Sequence, residues 1–206
     1  MGEIEFDPGQ SGPLLIVISG PSGAGKDTII DCMRQRNQAF HFVVTMTTRR
    51  QRADEVHGRD YFFVSHDQFA EMIEKGELLE YAIVYNDYKG IPKEQVRQAL
   101  LSGKDVVMRL DVQGAETIRG LCPDALLIFI TVKDEAELEK RLKQRKSETP
   151  EGYKLRTAMA RQEMNRVKAF DYVVINQGGC LDETVDTVLA IIKAEHHRVK
   201  PRKIEL

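Results

Sequence analysis

The segment "LLIVISGPSGAGKDTII", residues 14–30, limits the fold more than any other part of the chain. An apolar, β-branched run ends in a glycine-rich turn, and a lysine then opens a helical pattern. Strand, turn and helix in that order form a phosphate-binding loop of the type G-x-x-x-x-G-K-[ST], in which backbone N–H groups and the helix N-terminus cradle a phosphate. Gly20, Pro21, Ser22, Gly23, Ala24, Gly25, Lys26, Asp27 and Thr28 make up this loop, the candidate ATP-binding stretch. Lys26 supplies a mobile positive charge over the β- and γ-phosphates. One position departs from the pattern: Asp27 stands where a hydroxyl would hold a magnesium ion. A bare carboxylate beside a triphosphate is repulsive, but with Mg²⁺ between them it becomes an oxygen ligand of the kind that ion prefers. Thr28 offers a hydroxyl one position later.

The rest of the chain repeats this alternation. "DVVMRLD" (105–111), "ALLIFITV" (125–132), "DYVVIN" (171–176) and "FHFVVT" (40–45) join residues 14–19 as buried strands of a parallel sheet. Between them, residues 26–36 place Ile29, Ile30 and Met33 on one helical face. Residues 134–145 do so less cleanly, and residues 182–197 repeat Val185, Val188, Leu189 and Ile192 at helical spacing. The expectation is an α/β fold with an open, doubly wound parallel sheet of about five strands, whose site lies at the strands' carboxyl ends. With 206 residues there is room for one such domain, over 14–206, after a loose acidic lead-in at 1–13 that lacks the apolar core of a secretory signal. A net charge of −2 gives no general pull toward nucleic acid or membrane, and no apolar run approaches the roughly 20 residues of a membrane span. Cys32, Cys122 and Cys180 are odd in number and far apart, as free thiols in a reducing compartment are. The cytoplasm is the default location; an organellar one follows if a transit peptide has been removed. The basic end "HHRVKPRKIEL" reads as a solvated helix end.

Two stretches interrupt the rhythm. Residues 46–94 are polar, dense in Arg and Tyr, and hold a short helix near 66–75 ended by Gly76. Residues 143–160 are charged and poor in large apolar groups, the composition of a lid that opens and closes. The core is then 14–45, 95–142 and 161–197. In "TMTTRRQRADEVHGRDYFFV" (45–64), Arg49 and Arg52 followed by Tyr61 can fork around one phosphate. An isolated R-x-x-R is more often part of a solvated loop.

Here that stretch accompanies a phosphate loop, and together they resemble guanylate kinase. "GPSGAGK", "TTRRQRADEVHGRDYFFV", "GELLEYAIVY", "LDVQGAETIR" and "DYVVINQGG" match the family in order, over nearly all residues from 14 to 195. The resemblance implies transfer of a phosphoryl group from ATP to GMP, giving ADP and GDP, with Mg²⁺ as cofactor, 46–94 as the GMP-binding insertion and 143–160 as the lid. GMP and ATP are then the partners, neither nucleic acid nor membrane is one, and the oligomeric state stays open. The resemblance further implies that Arg49, Arg52 and Tyr61 hold the GMP phosphate, that Thr45, Glu80 and Asp111 fall at guanine-reading positions with Glu55 nearby, and that Lys26, Arg141, Arg145 and Arg156 neutralise the transferring group. Asn176 matches a position near the nucleotide. Glu80 suits its role: a carboxylate accepts from both N1–H and the 2-amino group of guanine, whereas adenine would leave it unpaired.

The chain departs from the family pattern at four places. Asp27 replaces the metal-binding Ser; Lys89 stands for a phosphate-binding Tyr; Ile91 stands for a hydroxyl near guanine; and Arg109 stands for an acid two residues before Asp111. The same set resembles the plant organellar type, which carries "GKD", "YKGIPK" and "RVDIQGA". Asp27 gains an acid where Arg109 loses one, so the two can form a single exchange across the metal site. Either Asp27 ligates Mg²⁺ directly or through water, or it pairs with Arg109 while the metal relies on phosphates and water. The alternative from another class is an inactive guanylate kinase-like domain that binds phosphopeptides; such domains resemble this chain in fold but have lost the intact phosphate loop.

Overall fold

A computed structural model of the chain describes residues 11–36, 39–84, 86–143 and 150–206. In chain order its elements are β1 (Leu15–Ser19), α1 (Lys26–Arg36), β2 (His41–Phe42), β3 (Met46–Thr47), β4 (Phe62–Phe63), α2 (His66–Glu74), β5 (Leu78–Val84), β6 (Asp87–Pro92), α3 (Lys93–Leu101), β7 (Val106–Arg109), α4 (Val112–Leu121), β8 (Leu126–Thr131), α5 (Glu135–Lys143), α6 (Pro150–Met164), β9 (Tyr172–Ile175) and α7 (Leu181–Glu195).

The larger sheet is five-stranded and parallel, in the order β2-β7-β1-β8-β9. β1 lies in the middle, and all of its side chains are buried, as a strand covered on both faces requires. Its residues alternate between two cores. Ile16 and Ile18 pack with Ile29 and Met33 of α1 and with Val185, Val188 and Ile192 of α7. Leu15 and Val17 pack with Val96 and Ala99 of α3 and with Ala115 and Ile118 of α4. Each large aliphatic side chain so buried contributes about 1.5–3 kcal/mol. Ile18 of β1 stands beside Arg109 of β7 in register. The phosphate loop and the segment Arg109–Asp111 therefore leave the sheet side by side.

The doubly wound parallel sheet expected from the sequence is present. The strand expected over 40–45 is divided: His41–Phe42 pairs with β7, whereas Met46–Thr47 belongs to a second sheet. The chain departs after Val43, because the Val44 N–H donates to the Gln95 side chain (2.7 Å) rather than to the sheet. The helix expected over 134–145 is observed over Glu135–Lys143, and α3 and α4 lie where the apolar pattern assigns no helix.

The insertion is more ordered than its polarity suggests. It carries a four-stranded sheet, β4-β3-β6-β5, and a small core of Met46, Phe69 and Leu78. A reciprocal capping box between Ser65 and Gln68 starts α2. In the charged stretch 143–160, Arg145 lies outside the described residues, and Arg156 falls on α6, its side chain outside what is described. α6 runs past residue 160, where Ala160 packs with Val132, Leu138 and Leu142. Among the described residues no helix is long and apolar enough to cross a membrane, and the three cysteines are free.

The basic C-terminus, expected as a solvated helix end, is folded back onto the domain. Buried Glu195 accepts hydrogen bonds from Arg202 (2.6 Å), Arg198 (3.1 Å) and the Tyr172 hydroxyl (2.6 Å), while Ile204 packs on the second core. Burial pushes the Glu195 carboxyl up, but these bonds outweigh it and hold the group at about 2. Its stabilising contribution is therefore full above the ordinary carboxylate range and is lost as pH falls toward 2. Glu195→Gln is expected to lose about 2 kcal/mol of charged hydrogen bonding. That corresponds to a melting temperature roughly 4–8 °C lower at pH 7 for a chain of this length. Scanning calorimetry at pH 7 and at pH 3 should show the gap between the two proteins narrowing in acid.

Candidate active site

A cleft of about 260 Å³ opens at the carboxyl ends of β1 and β7, with the phosphate loop on one side and the insertion on the other. Local geometry dictates the loop's composition. Gly20 has φ 133°, and a Cβ there would lie 2.0 Å from the Ile130 carbonyl oxygen. Gly25 has φ 89°, and a Cβ there would lie 2.3 Å from Nδ2 of Asn176. Only glycine meets both demands. Asn176, buried at the end of β9, donates to the Ala24 carbonyl (2.8 Å) and so supports the loop from beneath. Arg141 in turn donates to the Asn176 carbonyl (2.8 Å) and to Glu137 (2.8 Å).

Lys26 folds over the loop it begins, donating to the carbonyls of Gly20 (2.5 Å) and Pro21 (2.9 Å). Burial pushes its pKa down, and Glu163 is the largest opposing influence. Glu163 comes from α6 and accepts from the Ser22 N–H (3.2 Å). Burial pushes its carboxyl up, against the pull of Lys26. Nothing in the sequence pattern marks Glu163; the packing of α6 alone brings it to the loop.

Asp27 and Arg109 meet. Arg109 Nη1 donates to Asp27 Oδ1 (2.7 Å), and its Nη2 donates to the Asp60 carbonyl (3.3 Å). The Arg109 guanidinium also lies 4.6 Å from the Tyr61 ring centroid. Arg49 (5.3 Å) and the Lys89 ammonium (5.9 Å) approach the same ring. Three cations thus surround one aromatic side chain, each attracted to its face. Burial, then Arg109, pushes Lys89 down to about 8. Glu55, expected near the base-reading positions, instead holds the arginines: it accepts from Arg49 Nη2 (2.6 Å) and from the Arg52 N–H (2.9 Å), and it is not among the residues lining the cleft. Arg52 does line it.

Farther into the insertion the cleft changes character. Glu80 is 5% exposed and Thr45 4%, and Oε2 of Glu80 and Oγ1 of Thr45 have no hydrogen-bond partner among the described residues. Buried polar atoms are rarely left so, and each unpaired one costs about 1–3 kcal/mol. Glu80 was legible only through family resemblance, since a carboxylate after a short helix otherwise belongs on the surface. Burial, and next Asp111, pushes its carboxyl up to about 8. Gly114 leaves space for it, because a Cβ there would lie 3.0 Å from Glu80 Oε2. Asp111 caps α4, accepting from the Gly114 N–H (2.9 Å). Ile91, expected near the base, is fully buried in the second core.

The arrangement has three chemical zones: N–H groups and Lys26 for a polyphosphate, clustered cations for a second phosphate, and unpartnered acceptors for a donor-bearing heterocycle. Among the described residues no three His, Cys, Asp or Glu side chains cluster as a self-sufficient metal cage.

Comparison with known proteins agrees with this geometry. The family model described as guanylate kinase matches residues 13–195. The chain is 47% identical over 195 residues to guanylate kinase 2, chloroplastic/mitochondrial, of Oryza sativa subsp. japonica, covering 94% of this chain and 68% of the relative. It is 42% identical over 192 residues to the guanylate kinase of Lactobacillus johnsonii, covering 93% of each. Among solved structures, guanylate kinase from Anaplasma phagocytophilum superposes with a TM-score of 0.77 at 26% identity, over 92% of this chain and 89% of that one.

The state of Glu80 has a measurable consequence. Its folded pKa lies above the ordinary carboxyl value, so its contribution to stability is greatest in acid and is lost as pH climbs from about 4.5 toward about 8. Replacing it with Gln is expected to remove that slope. Thermal melts between pH 5 and 8.5, without ligand, should show the variant gaining on the natural protein as pH rises. A constant difference across the range would contradict the raised pKa.

Proposed function

The chain belongs to the guanylate kinase family, and from that premise we propose how its own residues carry out the family's reaction, transfer of the γ-phosphoryl group of ATP to GMP to give ADP and GDP. The observation that carries the assignment of roles is the pair of buried acceptors, Glu80 and Thr45, without a partner among the described residues and in the same cleft as the phosphate loop. Guanine presents N1–H and a 2-amino group to such a pair. Adenine presents an acceptor at N1 and no 2-amino group, so Glu80 would stay desolvated and unpaired. To accept from both donors Glu80 must be ionised. Because its pKa lies near 8, binding of guanine at neutral pH releases a proton.

In this reading Arg49, Arg52, Tyr61 and Lys89 receive the GMP phosphate, and Glu55 holds the two arginines in place. The phosphate-loop N–H groups and Lys26 receive ATP, with Asn176 supporting the loop. Arg141, Arg145 and Arg156 neutralise charge on the transferring group. Residues 46–94 act as the acceptor-binding insertion and 143–160 as the lid. No protein base is needed, since the attacking phosphate oxygen is already ionised. dGMP is a second acceptor, because the roles assigned above involve the base and the phosphate.

The donor set suits Mg²⁺. Asp27 and Thr28 offer hard oxygen atoms, both residues are exposed, and both line the cleft beside the loop. Among the described residues no three acidic, His or Cys side chains cluster to hold an ion alone, which matches one that keeps water and substrate phosphates as its other ligands. When bound there, the ion would neutralise charge on the phosphates of ATP.

A coupled ADP-release assay with GMP, dGMP, AMP, UMP and IMP tests the assignment, and GMP should be preferred. Glu80→Gln is expected to lower kcat/KM for GMP by at least roughly tenfold, about 1.4 kcal/mol. Lys26→Ala should nearly abolish turnover with an unchanged circular dichroism spectrum. Normal GMP kinetics in the first variant, or near-normal kcat in the second, would remove the role assigned to that residue.

A further inference from the structure

We propose that Arg109 is part of the acceptor-phosphate site and couples it to the phosphate loop, so that filling the donor site strengthens binding of the acceptor. The proposal rests on reading the cleft as a site for transfer between ATP and GMP. One guanidinium joins three parts of the molecule. Arg109 is anchored at the end of β7, beside Ile18 of β1. Its Nη1 donates to Asp27 in the first turn of α1, and its Nη2 donates to the Asp60 carbonyl in the insertion. Its guanidinium carbon lies closer to the Tyr61 ring centroid than the charged group of either Arg49 or Lys89 does. These bonds use two of its five N–H donors. Arginine's planar, permanently charged fork is suited to a phosphate.

The sign of the coupling follows from charge. Arg49 is compensated by Glu55 at 2.6 Å, and Arg109 by Asp27 at 2.7 Å. An exposed pair of this kind is worth little, but the Arg109 side chain is only 21% exposed. The Asp27 side chain is 57% exposed, on the side where the divalent cation of the donor nucleotide would sit. A cation there draws on the same carboxylate and weakens its hold on Arg109. The uncompensated guanidinium then faces the site where an anion is bound, next to Tyr61. The acceptor phosphate is that anion, so its affinity rises. By linkage the acceptor strengthens donor binding by the same factor. The paired departures Asp27 and Arg109 thus act as one unit, which either alone would not form.

Equilibrium binding tests this without turnover. GMP is titrated calorimetrically into the protein with no donor, and again with saturating ADP and Mg²⁺. The natural protein should bind GMP at least about fivefold more tightly in the second case, the low end of measured couplings. Asp27→Asn removes the charge at an exposed position and should bind GMP tightly even without donor, with the ratio falling to within about twofold of unity, below the coupling range. Arg109→Met should also lose the coupling, but with weak GMP binding under both conditions. If Arg109→Met does not fold, Asp27→Asn decides the matter alone. GMP binding that donor does not strengthen in the natural protein, or an unchanged ratio in Asp27→Asn, would overturn the coupling while leaving the phosphotransfer reading intact. Failure of the natural protein to bind GMP at all would overturn that reading and the coupling together.

Discussion

The site depends on one close approach of backbone to backbone. Where β1 turns into α1, the chain passes so near the end of β8 that a side-chain carbon on Gly20 would overlap the Ile130 carbonyl. A few residues later, at Gly25, it passes close to the Asn176 side chain at the end of β9. The loop is therefore held between the ends of two neighbouring strands, and its N–H groups point where the sheet directs them. Lys26, the start of α1 and the pairing of Asp27 all take their positions from that turn. Because the loop is fixed by steric exclusion, the rest of the cleft can carry groups that are costly in themselves.

Those groups are arranged by charge. The middle of the cleft gathers Arg49, Lys89 and Arg109 around the Tyr61 ring, and Glu55 and Asp27 offset part of that charge. The far end holds Glu80 without a partner on Oε2, with its pKa raised to about 8 and Asp111 nearby. Lys89 is pushed down to about 8 by the same burial that raises Glu80. Both groups are thus poised near neutrality. A ligand with an anion at one end and N–H donors at the other would relieve both costs at once. Catalysis of phosphoryl transfer is mostly positioning and electrostatics, and a cleft strained in this way stores the differential for a ligand of that shape.

The insertion and the C-terminus show why surface-like sequence need not lie on a surface. In residues 46–94 Arg49, Arg52, Glu80 and Lys89 line the cleft, other charged side chains such as Arg59 and Lys75 pair at the surface, and a core as small as Met46, Phe69 and Leu78 holds the layer together. The tail after α7 closes through the Arg202 side chain onto Glu195 and Asp171, and through the Lys203 N–H onto Asp124. Neither the ion pairs of the insertion nor the contacts of the tail follow a periodicity, and periodicity is what a sequence shows most clearly.

By itself the sequence determined the strand–turn–helix of the phosphate loop, the parallel sheet and the helical faces of α1 and α7. Each rests on contacts between residues close in the chain or on a repeating apolar pattern. It also marked Asp27 and Arg109 as a pair by the exchange of their charges. Only the tertiary structure decided that they meet, that Arg109 reaches on to Asp60 and Tyr61, that Glu55 serves the arginines, that Ile91 belongs to the core, and that Glu163 leans on the loop from α6. It also decided that Glu80 is buried. The reason is common to all of these. The contacts of Arg109 and Glu163 join residues about 50 to 140 positions apart, and Glu55, though within six positions of its arginines, is like them placed by how layers pack and by what desolvation permits, which no local pattern encodes.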